Sequence, residues 1–524
     1  MNRRTLTRGA IAAAVAAALA TTGTVMVQAE EGSDSELSKT IDTILEDKSL
    51  SGSQIGVVVA DAKSGETIYN HNGGMRTIPA SNNKIETSAA AMEVLGGDYT
   101  FTTDVAAESK PSGGTIAGDL YLRGTGDPTM MQKDYEALAK SLADKGVTTV
   151  DGNLVADDTA FGPQRLGTEW GWDDLPYYYA AEVTALTVAP NTDYDAGSIN
   201  VSVTPGAEGE KAKVKVTPPN DYVKINNTAT TGASGEDSTV SFSRDNGVNT
   251  IDVSGTIPAD SEGDMSLMTV TNPTGLAADV FAKALADNGI SVSGDVQLGK
   301  ATPDGSASLV KHDSMPIAEM MTPFMKLSNN PHAEALTKAI GIEASGEGTF
   351  DAGVTAIQEQ MAKLGVATDQ VRQVDGSGMS RQNAISPKNL ASLLVDVRDA
   401  GWFKTWYESM PIACKEDPMV GGTLASRMCD TPAAGNVHAK TGSMTGVSAM
   451  SGYVKDQDGR DLVFSVVTND FVADSVKEIE DKVAVALAST GGSDSVSPES
   501  LKVPQPKKDV PEGLECSWVK PIAC

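Results

Sequence analysis

A long stretch of β-strand patterns divides the chain and limits the folds that it can adopt. Between about residues 100 and 270, Thr, Val, Gly, Asp and Asn dominate, in alternating runs such as residues 198–203 and 250–253 that turn clusters separate. Helical patterns lie on both sides of this stretch, in the alanine-rich run after Ser81 and again from about residue 273. The sequence therefore predicts an α/β unit that is split by a large β-rich insertion.

The flanking patterns give the domain division. Two strands are expected at residues 54–59 and 67–69, and three more at 437–441, 448–454 and 462–467, followed by a last helix at about 473–487. We expect one discontinuous domain from residues 30–99 and 272–490, with residues 100–271 as the insertion and 491–524 as a linker and a disulfide-closed tail. The octapeptides at 139–146 and 282–289 resemble each other, which indicates one helix-Gly-strand unit used twice.

The amino terminus has the pattern of a secretory signal peptide. Arg3, Arg4 and Arg8 precede an apolar run at residues 10–20, and Val27-Gln28-Ala29 offers a small-residue cleavage site. The mature chain is then expected to begin near Glu30, without a transmembrane anchor, and to be extracytoplasmic, in the periplasm or cell wall, or secreted. The Arg3-Arg4 pair is compatible with the twin-arginine route as well as with the general one.

Charge, cysteine and histidine counts narrow the function classes. Removing residues 1–29 deletes three arginines and no acids, which takes the net charge from −29 to −32 and makes nucleic acid an unfavourable partner. Four cysteines in an exported chain suggest two disulfides, and nearest neighbours give Cys414–Cys429 and Cys516–Cys524. The four histidines lie far apart in sequence, so we expect no metal site and no cofactor.

Ser81 and Ser308 each lie three residues before a lysine. Ser81 and Lys84 lie where the alanine-rich helix begins, and residues three apart share a helix face, so a neutral Lys84 amine could take the Ser81 proton. Ser81 could instead be an ordinary helix cap. The second copy, Ser308 and Lys311, follows a polar, turn-rich segment, and we expect Ser308 in an exposed loop.

Two further motifs follow Ser81-x-x-Lys84 in a fixed order. Ser328-Asn329-Asn330 comes after the insertion, and Lys440-Thr441-Gly442-Ser443 lies on an expected strand. Similar tripeptides at 198–200 and 63–65 fail on context, because the first lies in the insertion and the second in a hairpin turn upstream of Ser81. Ser-x-x-Lys, Ser-x-Asn and Lys-Thr-Gly in this order are the three elements of the serine penicillin-recognising fold.

At this level of detail the chain resembles the class C low-molecular-mass penicillin-binding proteins, the D-alanyl-D-alanine carboxypeptidase/endopeptidase family. Residues 375–381, DGSGMSR, match a family segment that has Leu where this chain has Met379, and residues 431–454 resemble the closing block of the family. The 247 positions from Ser81 to Ser328 also match its large insertion. The resemblance covers about residues 40–490 and implies a transpeptidase/β-lactamase-like α/β domain that carries the insertion.

The resemblance also implies residue roles and partners. Ser81 would be the nucleophile and Lys84 its base, while Ser328 would relay a proton to the leaving amine and Asn330 would position Lys84. The backbone N–H groups of Ser81 and Ser443 would hold the oxyanion. Substrate-binding residues would come from the last motif, with Lys440 and Thr441 on the terminal carboxylate: Lys440, Thr441, Gly442 and Ser443. Peptidoglycan stem peptides would be the substrates and β-lactams covalent inhibitors.

Two other functions remain open at this point. A β-lactamase shares all three motifs, although the Glu-x-x-Leu-Asn segment of the commonest class is absent because the chain contains no Leu-Asn dipeptide. A non-catalytic wall-binding protein could retain an unused site. The sequence leaves open whether a terminal D-alanine or a peptide cross-link is the preferred cut, and it leaves open the oligomeric state.

Overall fold

The structure is a computed structural model that describes residues 24–491, with side chains from residue 34 onward. The expected signal segment as far as residue 23, the linker and tail after residue 491, and the Cys516–Cys524 pair lie outside the described residues. Within residues 24–491, no helix combines the length and the apolarity that crossing a membrane would require.

The helices of the described residues are α1 (Thr24–Leu45), α2 (Lys84–Val94), α3 (Gln132–Asp144), α4 (Pro273–Asp287), α5 (Ile317–Lys326), α6 (Asn330–Ser345), α7 (Phe350–Lys363), α8 (Pro387–Asp396), α9 (Phe403–Ser409) and α10 (Lys477–Ser489). The strands are β1 (Gln54–Asp61), β2 (Thr67–His71), β3 (Thr102–Ala107), β4 (Thr115–Ile116), β5 (Leu120–Gly124), β6 (Thr149–Val150), β7 (Leu154–Asp157), β8 (Ser198–Thr204), β9 (Lys213–Thr217), β10 (Lys224–Asn227), β11 (Thr230–Gly232), β12 (Ser241–Arg244), β13 (Thr250–Ser254), β14 (Thr256–Pro258), β15 (Asp264–Thr269), β16 (Ser291–Val292), β17 (Val296–Leu298), β18 (Ala307–Asp313), β19 (His438–Met444), β20 (Val447–Lys455) and β21 (Asp461–Asn469).

One antiparallel sheet forms the centre of the discontinuous α/β domain, with the strand order β19-β20-β21-β1-β2. Helices cover both faces, so its central strands are apolar almost throughout rather than alternating. Val58 packs with α2, α5 and α8 on one face, whereas its neighbour Val57 packs with α1 and α10 on the other. Strand β19 is an edge of this sheet, and its outer side beyond the bridge between His438 and Ile412 can border a site.

Helix starts follow the sequence signals that predict them. Pro273, Pro331 and Pro387 each lie in the first turn of a helix, where the missing N–H would have no partner within the helix in any case. Ser386 caps α8, because its side chain accepts a hydrogen bond from the backbone N–H of Asn389. The last helix begins at Lys477, four residues later than the sequence pattern predicts.

The inserted region is β-rich, as predicted, and contains a mixed sheet of order β17-β7-β5-β3-β18 together with smaller sheets. The two similar octapeptides form equivalent units. Each ends a helix, α3 or α4, and turns through a glycine with positive φ, Gly146 at 83° or Gly289 at 74°. The strands that follow, β6 and β16, pair in parallel with each other.

The far boundary of the insertion differs from the expected one at residue 272. Leu276, Phe281 and Leu285 of α4 share a hydrophobic core with β3 and β7, and β18 pairs with β3. A helical pattern in a sequence predicts a helix but does not show the core against which it packs. The pattern alone therefore assigns the residues from 272 onward to the discontinuous domain rather than to the insertion. We therefore propose that the insertion runs from about residue 102 to residue 313.

Candidate active site

The serine of the first motif lies in a tight turn ahead of α2. Residues Ala80–Asn83 form one 3-10 turn, and Ala80 has a positive φ of 46°. No side chain caps the start of α2, so the interpretation of Ser81 as a helix cap is wrong. The Ser81 hydroxyl instead accepts a hydrogen bond from Lys84 Nζ at 2.8 Å.

Lys84 is held by three acceptors and is completely buried. Its Nζ donates to Ser81 Oγ at 2.8 Å, to Asn330 Oδ1 at 2.6 Å and to the carbonyl oxygen of Ser377 at 2.8 Å. Burial lowers the pKa of Lys84 to about 7, although the carboxylates of Glu334 and Asp375 oppose this effect. Near neutral pH a large fraction of Lys84 is therefore the free amine that proton abstraction from Ser81 requires.

The two carboxylates near Lys84 organise residues 375–381. Glu334 accepts hydrogen bonds from the backbone N–H groups of Gly376 and Ser377, both at 2.8 Å. Asp375 is completely buried and accepts from four donors: Gly378 N, Ser380 N, Asn383 Nδ2 and Trp170 Nε1. Its four hydrogen bonds give Asp375 a structural role in the turn. Burial and the neighbouring Asp375 raise the pKa of Glu334 to about 7.

The second motif joins α5 to α6. Ser328 has a positive φ of 57°, and Asn329 caps α6 by accepting from the backbone N–H of His332 at 3.3 Å. Asn329 also donates to the backbone carbonyls of Asp193 and Tyr194, which ties this junction to the insertion. Asn330 bridges two parts of the site, because its amide donates to Tyr179 O at 2.8 Å while its oxygen accepts from Lys84.

Lys440 of the third motif is also completely buried. Its Nζ donates to Ser328 Oγ at 2.7 Å and to Thr441 O at 2.8 Å. Burial, together with the charge of Lys84, lowers the pKa of Lys440. The amine lies behind Ser328 rather than in the open pocket, so any effect of Lys440 on a substrate carboxylate passes through Ser328 and Thr441.

Gly442 allows β19 to approach the turn that carries Ser81. A Cβ atom at Gly442 would lie 2.9 Å from Ser81 N and 3.0 Å from Asn82 N, which is too close for any other residue without movement of the backbone. Asn82 further links the two segments by donating to Lys440 O at 3.2 Å. Ser443, the next residue along β19, therefore lines the same pocket beside the turn that carries Ser81.

These elements surround one pocket. Its walls are formed by Ser81, Asp174, Tyr178, Tyr179, Leu327, Ser328, Asn330, Gly378, Met379, Arg381, Thr423, Thr441, Gly442, Ser443, Met444 and Thr445. Six of the eight residues predicted from the motifs line this pocket. The other two, Lys84 and Lys440, donate hydrogen bonds to pocket residues, Lys84 to Ser81 and Lys440 to Ser328. Sequence reasoning missed Asp174, Tyr179 and Thr423, which come from the insertion and from a distant loop and carry no motif.

Glu334 was also missed, although it carried a signal. It follows Asn330 by four residues on α6, so the two side chains share one helix face. Trp170, in contrast, lies in an irregular part of the insertion, and nothing in the sequence indicates its contact with Asp375.

The other occurrences of the short patterns lie away from the pocket. Ser308 is exposed, as predicted, but it lies on strand β18 rather than in a loop, and its hydroxyl donates to Asp104. Lys311 pairs with Asp313 at 2.8 Å. Ser198 is buried and donates to Asp195 O, and Lys63 lies in the hairpin turn between β1 and β2.

The predicted pairing of Cys414 with Cys429 is confirmed. The bond closes a segment that reaches the pocket at Thr423.

The sheet covered by helices and the three converging motifs define a serine penicillin-recognising protein. The crystal structure of penicillin-binding protein 4 from Haemophilus influenzae has a similar fold, with a TM-score of 0.73 and 25% identity, covering 85% of this chain and 97% of that one. Residues 37–490 match the D-Ala-D-Ala carboxypeptidase 3 (S13) family, and the chain belongs to it.

Relatives with named activities cover nearly the whole chain. The D-alanyl-D-alanine carboxypeptidase of Actinomadura sp. (strain R39) is 44% identical over 487 residues, which are 93% of this chain and 90% of that protein. The D-alanyl-D-alanine carboxypeptidase DacB of Haemophilus influenzae is 27% identical over 434 residues, 82% of this chain and 88% of its own. The chain is thus a serine-type D-alanyl-D-alanine carboxypeptidase.

Proposed function

We propose that the protein removes the terminal D-alanine of peptidoglycan stem peptides through an acyl-enzyme on Ser81. The observation that carries this proposal is the buried contact of 2.8 Å between Lys84 Nζ and Ser81 Oγ, with the pKa of Lys84 lowered to about 7. A serine hydroxyl is a weak nucleophile until an adjacent base takes its proton. Lys84 is the base in contact with it.

In the acylation step, neutral Lys84 takes the Ser81 proton while Oγ attacks the carbonyl carbon of the penultimate D-alanine. The oxyanion is stabilised by the backbone N–H groups of Ser81 and Ser443, which Gly442 brings to the same side of the pocket. Breakage of the C–N bond releases D-alanine, whose amine must gain a proton. Ser328, whose hydroxyl lines the pocket and is held by Lys440 Nζ at 2.7 Å, relays to this amine the proton that Lys84 took from Ser81, and Lys84 becomes neutral again.

The terminal carboxylate is expected to bind at the Thr441 and Ser443 hydroxyls. Both residues line the pocket, and Lys440 contributes from behind by donating to Thr441 O at 2.8 Å. Water then attacks the ester carbonyl and gives a proton to neutral Lys84, which passes it to Ser81 Oγ as the ester bond breaks and the shortened peptide leaves.

We further propose that the protein is exported, that β-lactams acylate Ser81, and that peptide cross-links are a second substrate. The Haemophilus influenzae protein of the same fold has been crystallised with a β-lactam. A β-lactam carries a strained amide and a carboxylate that resemble the two ends of the D-alanyl-D-alanine bond, so both can use the same oxyanion donors and hydroxyls.

The test is the release of D-alanine from an acylated peptide that ends in D-Ala-D-Ala, measured for the wild type, Ser81→Ala and Ser308→Ala. Wild type and Ser308→Ala should release D-alanine at equal rates, and Ser81→Ala should release none. Release by Ser81→Ala would overturn the proposal. Incubation with cross-linked and uncross-linked muropeptides distinguishes cleavage of peptide cross-links from removal of the terminal D-alanine. Rapid turnover of penicillin with a short-lived adduct would favour a β-lactamase.

A further inference from the structure

Two threonine hydroxyls meet in the wall of the pocket. Thr441 Oγ1 lies 2.6 Å from Thr423 Oγ1, and each residue is only 6% exposed. Thr441 belongs to the Lys-Thr-Gly motif, whereas Thr423 comes from a segment 18 residues earlier that no motif includes. Both residues line the same pocket as Ser81.

The segment that carries Thr423 is fixed to the edge strand at its base. The Cys414–Cys429 disulfide closes it, and the residues just outside this bond pair with the start of β19. Ala413 N–H donates to Val437 O at 3.1 Å, and Ala439 N–H donates to Pro411 O at 3.0 Å. The base of the segment therefore lies alongside the start of the strand that carries Lys440 and Thr441, through an antiparallel bridge between Ile412 and His438.

Contacts within the segment and with neighbouring elements fix the position of Thr423. Gly422, with a φ of 54°, packs so closely that a Cβ atom there would lie 2.3 Å from Lys326 O. On the other side, the backbone N–H of Cys414 donates to Leu424 O at 3.0 Å. Arg427 then anchors the segment through buried ion pairs with Glu480 at 2.9 Å and Asp481 at 2.6 Å.

Binding of a carboxylate at Thr441 would change the hydrogen bond between the two threonine hydroxyls. A hydroxyl has one proton to donate, and in the structure Thr441 donates it to Thr423. A carboxylate can only accept, so when it binds at Thr441 that proton must turn toward it. Thr423 can then reverse the bond and donate to Thr441 Oγ1, which keeps both hydroxyls satisfied and strengthens the donation of Thr441 to the carboxylate.

We propose that Thr423 is a positioning residue that holds the Thr441 hydroxyl for the free carboxylate of the substrate and thereby favours peptides with a free carboxyl end. This inference rests on the proposed function, in which Thr441 binds that carboxylate. Thr423 has no part in the chemistry at Ser81, so its loss affects recognition of the leaving group rather than the nucleophile.

The test uses two acyl-D-alanyl thioesters that differ only at the end of the leaving group, a carboxylate in one and a carboxamide in the other. Thioesters react readily enough for both to be measured. Thr423→Val keeps the shape of the side chain and removes the hydroxyl, and kcat/KM for the carboxylate substrate should fall about tenfold, as for a weakened hydrogen bond to a charged group. The kcat/KM for the carboxamide substrate should change less than twofold, so the ratio of kcat/KM for the carboxylate substrate to that for the carboxamide substrate should fall. Thr423→Ser should restore the ratio to within threefold of wild type.

Thr431→Val is the matched control, because Thr431 Oγ1 donates to Met428 O at 2.6 Å near the same disulfide but outside the pocket. It should leave the ratio unchanged even if the melting temperature falls. An equal loss on both thioesters in Thr423→Val, or no loss, would overturn the inference while leaving the function in place. A wild type that does not distinguish the two thioesters, or turnover by Ser81→Ala, would overturn the proposed function itself.

Discussion

The same serine-lysine spacing occurs at Ser81 and at Ser308, and these two regions differ in geometry, burial and hydrogen-bond partners. At the start of α2, Lys84 Nζ is 2.8 Å from Ser81 Oγ and is completely buried. On strand β18, Ser308 and Lys311 are exposed and each bonds to an aspartate instead, because three residues of a strand extend about 10 Å. Spacing alone therefore does not bring a serine and a lysine together; at Ser81 a helical turn does so, and burial lowers the pKa of the Lys84 amine to about 7.

The largest expected effect tests which of the two serines is a nucleophile. Labelled penicillin should modify the wild type and Ser308→Ala with equal rates and with one label per chain. Ser81→Ala should not be labelled, because the attacking oxygen is absent. Mass spectrometry of a digest locates the adduct. A label on any serine other than Ser81 would break the comparison between the two regions.

The two lysines should differ almost as strongly. Lys84→Met keeps most of the buried side-chain volume and removes the amine, and the acylation rate should fall about a thousandfold, within the range that a general base contributes. Lys311→Met should label at the wild-type rate, because Lys311 pairs with Asp313 on the surface. Stopped-flow measurement of penicillin acylation checks both. A tenfold or smaller loss in Lys84→Met would show that another group accepts the proton.

The third expectation concerns pH. Because burial lowers the pKa of Lys84 to about 7, the neutral base is the minor form below this pH and the major form above it. Acylation should therefore rise about tenfold between pH 6 and pH 8 and then level off. A lysine side chain in water would give a rise only near pH 10. A flat profile between pH 6 and 8 would exclude Lys84 as the titrating base.

The motif residues and the strands of the central sheet could be predicted from the sequence. The pocket residues that come from distant loops could not. Ser81, Ser328 and Lys440 each belong to a short pattern with a fixed order, and the strands of the central sheet are long apolar runs. Thr423 and Asp174 reach the pocket through loops whose position depends on tertiary packing, which has no short sequence period. Our proposed boundary of the insertion differs from the one expected from the sequence for the same reason, since the sequence of α4 shows a helical pattern but not the core against which the helix packs.

The smallest expected effect concerns a contact between the insertion and the residues around Lys84. Trp170 Nε1 donates to Asp375 Oδ2 at 3.0 Å, and Asp375 helps to keep the pKa of Lys84 from falling further. Trp170→Phe keeps an aromatic ring and removes this donor from a buried carboxylate. The free energy of unfolding should fall by about 1.5 kcal/mol, the loss typical of a hydrogen bond to a charged group.

Trp402→Phe is the matched control, because Trp402 Nε1 donates to Glu93 at the surface, where water can replace the bond, and its loss should be below about 0.5 kcal/mol. Urea unfolding measures both variants. The penicillin acylation rate of Trp170→Phe should stay within threefold of wild type, since Gly378, Ser380 and Asn383 still donate to Asp375. A hundredfold loss of acylation would mean that the insertion, and not the helical turn at Ser81, is what separates the reactive serine-lysine pair from the inert one.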